Sequence, residues 1–191
     1  MQKEDKQKQK DLAEHKKIMR MIKMGAIDIL KIMKTHPEKR TIEEILYLSY
    51  YLTEKVAFFK NEDFLDKEFM ISVAEKVKFE IYEQSDVIMY KGDVGDKMYI
   101  SIQGKFGIYL DVTTECLLND PVAVIPEYTA IGERALKKDE DVRTATVMCL
   151  DPGQTLCLTL DKQSYQTLVY VSFYVLIILI FYLFLEIDFG C

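Results

Sequence analysis

Histidine is scarce in this chain. There are two, His15 and His36, and both precede the β-rich region. No Ser-His-Asp or Cys-His relay can be assembled around that region, and a metal centre built from His, Cys and carboxylates is not expected. Cysteine pairing is missing too. Cys116, Cys149, Cys157 and Cys191 form no CxxC spacing, which reads as a reducing, intracellular compartment with the thiols as small apolar groups. The first seventeen residues are rich in lysine and glutamine and lack the apolar core of a signal peptide. Excess positive charge is absent as well. A formal charge of −6 argues against a broad phosphate-backbone footprint, so no nucleic-acid partner is expected. No kinase signature follows the β-rich run, and the chain reads as a non-enzyme.

At 191 residues there is room for one domain with extensions. Residues 1–17 read as a charged, solvated tail or a frayed helix. From Ile18 to Met33, apolar residues recur at helical spacing with lysines between them. One basic amphipathic helix is predicted, packed on its own domain or on a protein partner; contact with a membrane surface or an acidic partner is the second reading. His36-Pro37 should break it. Thr41-Ile-Glu-Glu44 predicts a capping box opening a second helix toward Glu54, and the Thr41–Glu54 helix is a further candidate protein contact. Tyr47, Tyr50 and Tyr51 on it read as contact residues rather than chemistry. A turn at Asn61–Asp63 and a short helix over Phe64–Ala74 come next. The period then changes to two. Val77, Phe79 and Ile81 alternate with polar residues, and Val87, Met89, Tyr99, Ser101, Phe106, Ile108 and Leu110 continue as short strands. Val122–Ile125, Thr144–Leu150 and Thr155–Leu160 supply more. Turn signals at close intervals, with Gly92, Gly95 and Gly104 expected at positive φ, predict a β-sandwich or jelly roll. Val112–Thr129 reads as a long connection around one short strand.

Leu168–Leu185 is an uncharged apolar run of eighteen residues, at the short limit of about 17–20 for a membrane-spanning helix. Three readings stand: a cytosol-facing tail anchor, a helix buried against a partner, or a misassigned coding end.

Residues 130–147 place Gly132, Glu133 and Arg143 around a short turn. An acid and an arginine in one loop make either a surface ion pair or a sugar-phosphate site. In the second case backbone N–H groups near Gly132 approach the anion, Glu133 accepts from ribose hydroxyls and Arg143 pairs with phosphate oxygens. The flanking residues weigh on that choice. Gly92, Asp93, Gly95, Asp96, Tyr99, Ile100 and Gly104 stand in the order G-D-x-G-D-x-x-Y-I…G. Ile131, Gly132, Glu133, Ala135, Leu136, Arg143, Thr144, Ala145, Thr146 and Val147 follow the pattern F-G-E-x-A-L…R-T/A-A-T-V. Together they resemble the cyclic nucleotide-binding domain family and its phosphate-binding cassette, over roughly residues 58–168. The resemblance implies an α+β fold, an eight-stranded β jelly roll with helices at both ends. The resemblance marks off the binding domain (58–168); composition, periodicity and hydropathy divide the rest into a charged tail (1–17), N-terminal helices (18–57) and an apolar tail (169–191).

The resemblance also implies a non-catalytic regulatory module that senses cGMP or cAMP, with no cofactor beyond that ligand; the cysteine usage and the apolar run place it in the cytoplasm or anchored to a membrane by the tail. Gly132, Glu133, Arg134, Ala135, Arg143, Thr144 and Ala145 are the implied ligand-binding residues. Thr144 after the arginine is similar to the cGMP-dependent kinases, where that position contacts guanine. The alternative is a ligand-free scaffold that keeps the jelly roll within an assembly. Three departures bear on the choice. Ile131 replaces the usual phenylalanine. The run Lys137–Val142 is one residue longer than usual and sets Asp139, Glu140 and Asp141 near Arg143. The apolar tail stands where the family has a polar lid helix after the hinge helix that begins at Asp161.

Overall fold

The computed structural model of the protein describes residues 2–60, 67–110, 120–137 and 142–168. Helix α1 (Gln2–Lys23) takes in the segment expected as a charged tail or a frayed helix. It does not continue to Met33. Gly25, at φ 73°, lets Ala26 N–H donate to Met21 O at 2.9 Å and Gly25 N–H to Ile22 O at 3.0 Å. This pair of bonds closes a helix, and a side chain at that φ would cost about 1–2 kcal/mol. A separate helix, α2 (Ile29–Lys34), begins after Asp28, whose Oδ1 accepts from Lys31 N–H at 3.0 Å. The expected single helix is thus two. Periodicity conceals the break because Ile18 of α1 and Ile32 and Met33 of α2 are buried in the same core.

A short 3₁₀ turn, Pro37–Lys39, follows the expected break. Helix α3 (Ile42–Lys55) opens on the expected capping box: Thr41 Oγ1 accepts from Glu44 N–H at 3.2 Å, and Glu44 Oε2 accepts from Thr41 N–H at 2.8 Å. Helices α4 (Ala57–Lys60) and α5 (Lys67–Lys76) complete the N-terminal part; the turn expected at Asn61–Asp63 lies outside the described residues. Buried Arg40 ties these helices together. Its guanidinium donates to Ile32 O (3.3 Å), Met33 O (3.2 Å), Ala74 O (2.7 Å) and Val77 O (2.9 Å), at the C-terminal ends of α2 and α5. Carbonyls of this kind lack intrahelical partners at a helix end, although Ile32 O also accepts from Thr35 N–H at 3.2 Å.

Eight strands follow: β1 (Lys78–Tyr82), β2 (Val87–Met89), β3 (Lys97–Gln103), β4 (Phe106–Tyr109), β5 (Ala123–Ile125), β6 (Ala130–Ile131), β7 (Thr146–Cys149) and β8 (Thr155–Asp161). They form two antiparallel four-stranded sheets, β1-β8-β3-β6 and β2-β7-β4-β5. This is the α+β jelly roll that the resemblance implied, and one of the two folds, β-sandwich or jelly roll, that the alternation and turn spacing predicted. Strand β6 was not predicted: two residues are too short for a period. Gly92 and Gly104 take positive φ as expected, and Gly95 does not. One turn, α6 (Arg134–Lys137), separates β6 from β7, and a last described helix, α7, covers 162–168. Asp161 opens α7, its Oδ1 accepting from Ser164 N–H at 2.7 Å.

The central strands β3 and β8 of the first sheet are buried on both faces. Met98, Ile100, Leu156, Leu158 and Leu160 join Leu48, Val73 and other helix residues in one core. The alternate residues Tyr99 and Cys157 join Phe106, Val147 and Cys149 between the sheets. Leu168, the first residue of the run expected as a membrane span, belongs to the helix-facing core; the rest of that run lies outside the described residues. Among the described residues no helix is long and apolar enough to cross a membrane.

Candidate ligand-binding site

A cleft of about 250 Å³ opens where β6, the start of α6 and the strand entering β7 converge. Its floor is apolar, from Met89 of β2, Ile108 of β4 and Val147 of β7. Its rim carries Gly132, Glu133, Arg134, Arg143, Thr144 and Ala145. Six of the seven residues expected to contact a ligand therefore share one cavity, although eight residues separate Arg134 from Arg143 in sequence. The side chain of Ala135 lies outside what the structure describes.

Arg143 is held from three sides. Its backbone N–H donates to Asp93 O at 2.8 Å, and its own carbonyl accepts from Gly92 N–H at 2.8 Å. An isolated bridge between Val94 and Val142 extends that pairing. Its guanidinium, 6 % exposed as a residue, donates from Nη1 to Gly132 O at 3.2 Å and from Nη2 to Lys97 O at 2.6 Å. Asp96 Oδ1 lies 3.6 Å from Nη2, on a side chain that is 80 % exposed, so solvent screens this pair. The Gly-Asp turn of residues 92–96 thus pins the arginine's backbone, while the first residue of β3 aims its fork. Gly132 is required by contact as well as by its φ of 77°. A Cβ there would collide with Arg143 Nη1.

Glu133 is half-buried, directly ahead of α6, and Thr144 is exposed beside Arg143. Leu136, 1 % exposed, anchors α6 in the helix-facing core and so fixes where Glu133 stands. Lys97 is itself fastened. Its Nζ donates to Glu80 Oε1 at 2.9 Å and Oε2 at 3.0 Å, Thr159 Oγ1 donates to Glu80 Oε1 at 2.9 Å, and Tyr82 OH also donates to Glu80. Burial works to raise the Glu80 pKa, but these donors outweigh it and hold the carboxyl below its ordinary value. Among the described residues the two thiols, Cys149 and Cys157, are buried between the sheets. Burial pushes Cys149 up to about 11, and Cys157 is raised as well.

Residues 79–169 match the family described as the cyclic nucleotide-binding domain. The chain carries a domain of that family. It is 30 % identical over 105 residues to cGMP-dependent protein kinase, isozyme 1, of Drosophila melanogaster, covering 55 % of this chain and 13 % of that one. It is 30 % identical over 140 residues to the cAMP-dependent protein kinase regulatory subunit of Dictyostelium discoideum, covering 71 % of this chain and 38 % of that one. Among solved structures, the regulatory subunit of a cAMP-independent protein kinase A from Trypanosoma brucei superposes with a TM-score of 0.54 at 26 % identity, over 68 % of this chain and 43 % of that one. The chain thus spans less than half the length of each of these relatives.

Within this cyclic nucleotide-binding domain, the sequence alone does not reveal what buttresses the arginine. Asp93 and Asp96 read there as motif residues with no assigned role, and the carbonyl of Lys97 does not stand out. The signal is present in the motif's fixed place before β3, but a backbone acceptor has no side-chain signature. The departure at Ile131 is mild: the residue is 8 % exposed and packs with the inter-sheet core. Asp139, Glu140 and Asp141, expected near Arg143, lie outside the described residues; the carboxylate recorded beside the guanidinium is Asp96.

Proposed function

We propose that this chain is a non-catalytic, intracellular regulatory module that binds cGMP or cAMP in the cleft between Gly132 and Ala145. The observation that carries this is the convergence of Arg143 and Glu133 on one cavity with an apolar floor. A cyclic nucleotide has one phosphate charge, a free 2′-hydroxyl and a flat base. Binding it takes one cation, one acceptor, some N–H donors and an apolar surface. Arg143 meets the exocyclic oxygens, Glu133 accepts from the 2′-hydroxyl, and the N–H groups near Gly132 and Ala145 complete the anion site. Arg134 and Ala135 lie against the sugar-phosphate, and Thr144 faces the base and sets the choice between guanine and adenine. In this reading the binding domain covers residues 58–168, and the helices of residues 18–57 relay occupancy to a protein partner.

A second reading has its own observation. Arg143 already donates to two carbonyls and stands 3.6 Å from Asp96, and a similar solved structure is the regulatory subunit of a cAMP-independent protein kinase A. A scaffold that has lost its ligand would keep this arrangement. Calorimetric titration with both nucleotides separates the two. Binding by either one, lost in Arg143→Ala by about 2 kcal/mol or more (roughly 30-fold), supports the sensor. No heat from either nucleotide at high micromolar concentration leaves the scaffold.

A further inference from the structure

We propose that the outward face of α1 is a docking surface for an acidic helix of a partner protein. Charge on this chain is segregated. Eight cations against four acids give α1 a net +4 in a chain of −6, so the rest carries −10. At about 100° per residue, Lys6, Lys10, Lys17 and Arg20 fall within an arc of about 80°, and Lys16 and Lys23 widen it to about 140°. All six are exposed. The row runs about 26 Å along the helix axis.

Of the four acids, Asp11 and Glu14 are turned elsewhere, while on the same wheel Asp5 falls at the edge of the wider arc. Asp11 faces inward, its Oδ1 accepting from Lys67 Nζ and from Gln7 Nε2, each at 3.1 Å, while Glu14 stands at the margin of the arc. Among the described residues, no carboxylate lies within 4.0 Å of any of the six cations, whereas the ion pairs of α1 run to the body: Asp11 to Lys67, and His15 to Glu54 at 3.8 Å. Like charges at i,i+4, such as Lys6 with Lys10 and Lys16 with Arg20, weaken a helix by a few tenths of a kcal/mol each. Tertiary contacts hold α1 despite this. Ile18 is buried, and His15 stacks on Tyr50 with centroids 4.8 Å apart.

The occupant follows from charge and from what α1 has already used. An amphipathic helix binds lipid through its apolar stripe, but Ile18, Met21 and Ile22 are packed in the protein core. A second copy docked α1 against α1 would set one cation row against another. An acidic helix with carboxylates at alternating spacings of four and three matches Lys6, Lys10, Lys17 and Arg20, and neutralises the row pair by pair.

The test uses the full chain and two fluorescent helical peptides of equal composition. One carries glutamates in a single line at four-three spacing; the other has them dispersed around the helix. The lined peptide is expected to bind at least tenfold tighter by anisotropy and to weaken steeply with salt. The triple variant Lys10→Glu, Lys17→Glu, Arg20→Glu is expected to lose that binding at least tenfold while its circular dichroism stays helical; Arg143→Ala is expected to leave it unchanged, so this surface is tested apart from the nucleotide cleft. Equal binding of the two peptides, undiminished binding by the triple variant, or tighter capture by phosphatidylserine vesicles or duplex DNA than by the lined peptide would overturn the proposal.

Discussion

Arg143 and Glu80 show how single side chains work through the backbone here. Arg143 grips Lys97 O, and the Lys97 ammonium in turn grips Glu80 and lies 5.1 Å from the centroid of the Tyr99 ring. The start of β3 is therefore held at both its side chain and its carbonyl. A folded-state glutamate pKa below the unfolded value adds stability that is present above about pH 4.3 and is lost as pH falls below it. Lys97 has the opposite sign. Burial works to lower its pKa, the Glu80 contacts raise it further, and its stabilisation persists until pH rises beyond the ordinary lysine value of about 10.4. Glu80→Gln should remove the carboxylate charge and leave the Lys97 ammonium without its anionic partner. The expected result is a flatter fall of the thermal midpoint between about pH 5 and pH 3 than in the parent, followed by calorimetry or circular dichroism. An unchanged acid limb would mean that other carboxylates dominate. The capping carboxylate Asp161, whose pKa is also held low, is one such contributor.

Helix ends, more than helix interiors, carry the organisation at the scale of elements. The Thr41 box satisfies donors at the start of an exposed turn, so Thr41→Ala should cost about 1 kcal/mol. Arg40 differs by being buried and by serving four carbonyls from two helices. Its truncation strands those acceptors away from water, and Arg40→Ala should cost about 3 kcal/mol or more. Chemical denaturation of the two variants orders them; equal losses would show that water replaces the guanidinium. The capping box is legible in sequence because its partners lie three residues apart. The Arg40 contacts are not, since Ala74 and Val77 are brought to it only by the packing of α5. The same holds for Tyr51 and Tyr128, whose hydroxyls meet at 3.1 Å and link α3 to the loop entering β6. Tyr51 reads as a contact residue from its helix alone; its partner cannot be named from the sequence.

On the scale of the whole molecule, the first sheet is the shared wall of two cores, and that makes the helices and the sandwich one structure. Leu158 faces the helices and Phe106 faces the opposite sheet, each 0 % exposed. Leu158→Ala should cost about 2–5 kcal/mol and Phe106→Ala about 3–5 kcal/mol. Because the cores share β3 and β8, either variant should lower a single transition seen alike by helical ellipticity and tyrosine fluorescence. Two separated transitions in either variant would refute that coupling.

Strand alternation, the capping box and the glycine turns at 92 and 104 are readable from residues alone, because each is a local pattern whose period or spacing reflects backbone geometry within a few residues; the cassette is legible only through its resemblance to a family, since an acid and an arginine in one loop make a surface ion pair equally well. The break at Gly25 is hidden because two short helices burying one face preserve the rhythm of a single long one. Strand β6, the buttressing of Arg143 by Asp93 and Lys97, and the meeting of Glu133 with Arg143 on one cavity come from chain folding over long separations. Such contacts involve backbone acceptors and distant partners, and neither leaves a trace in the order of side chains.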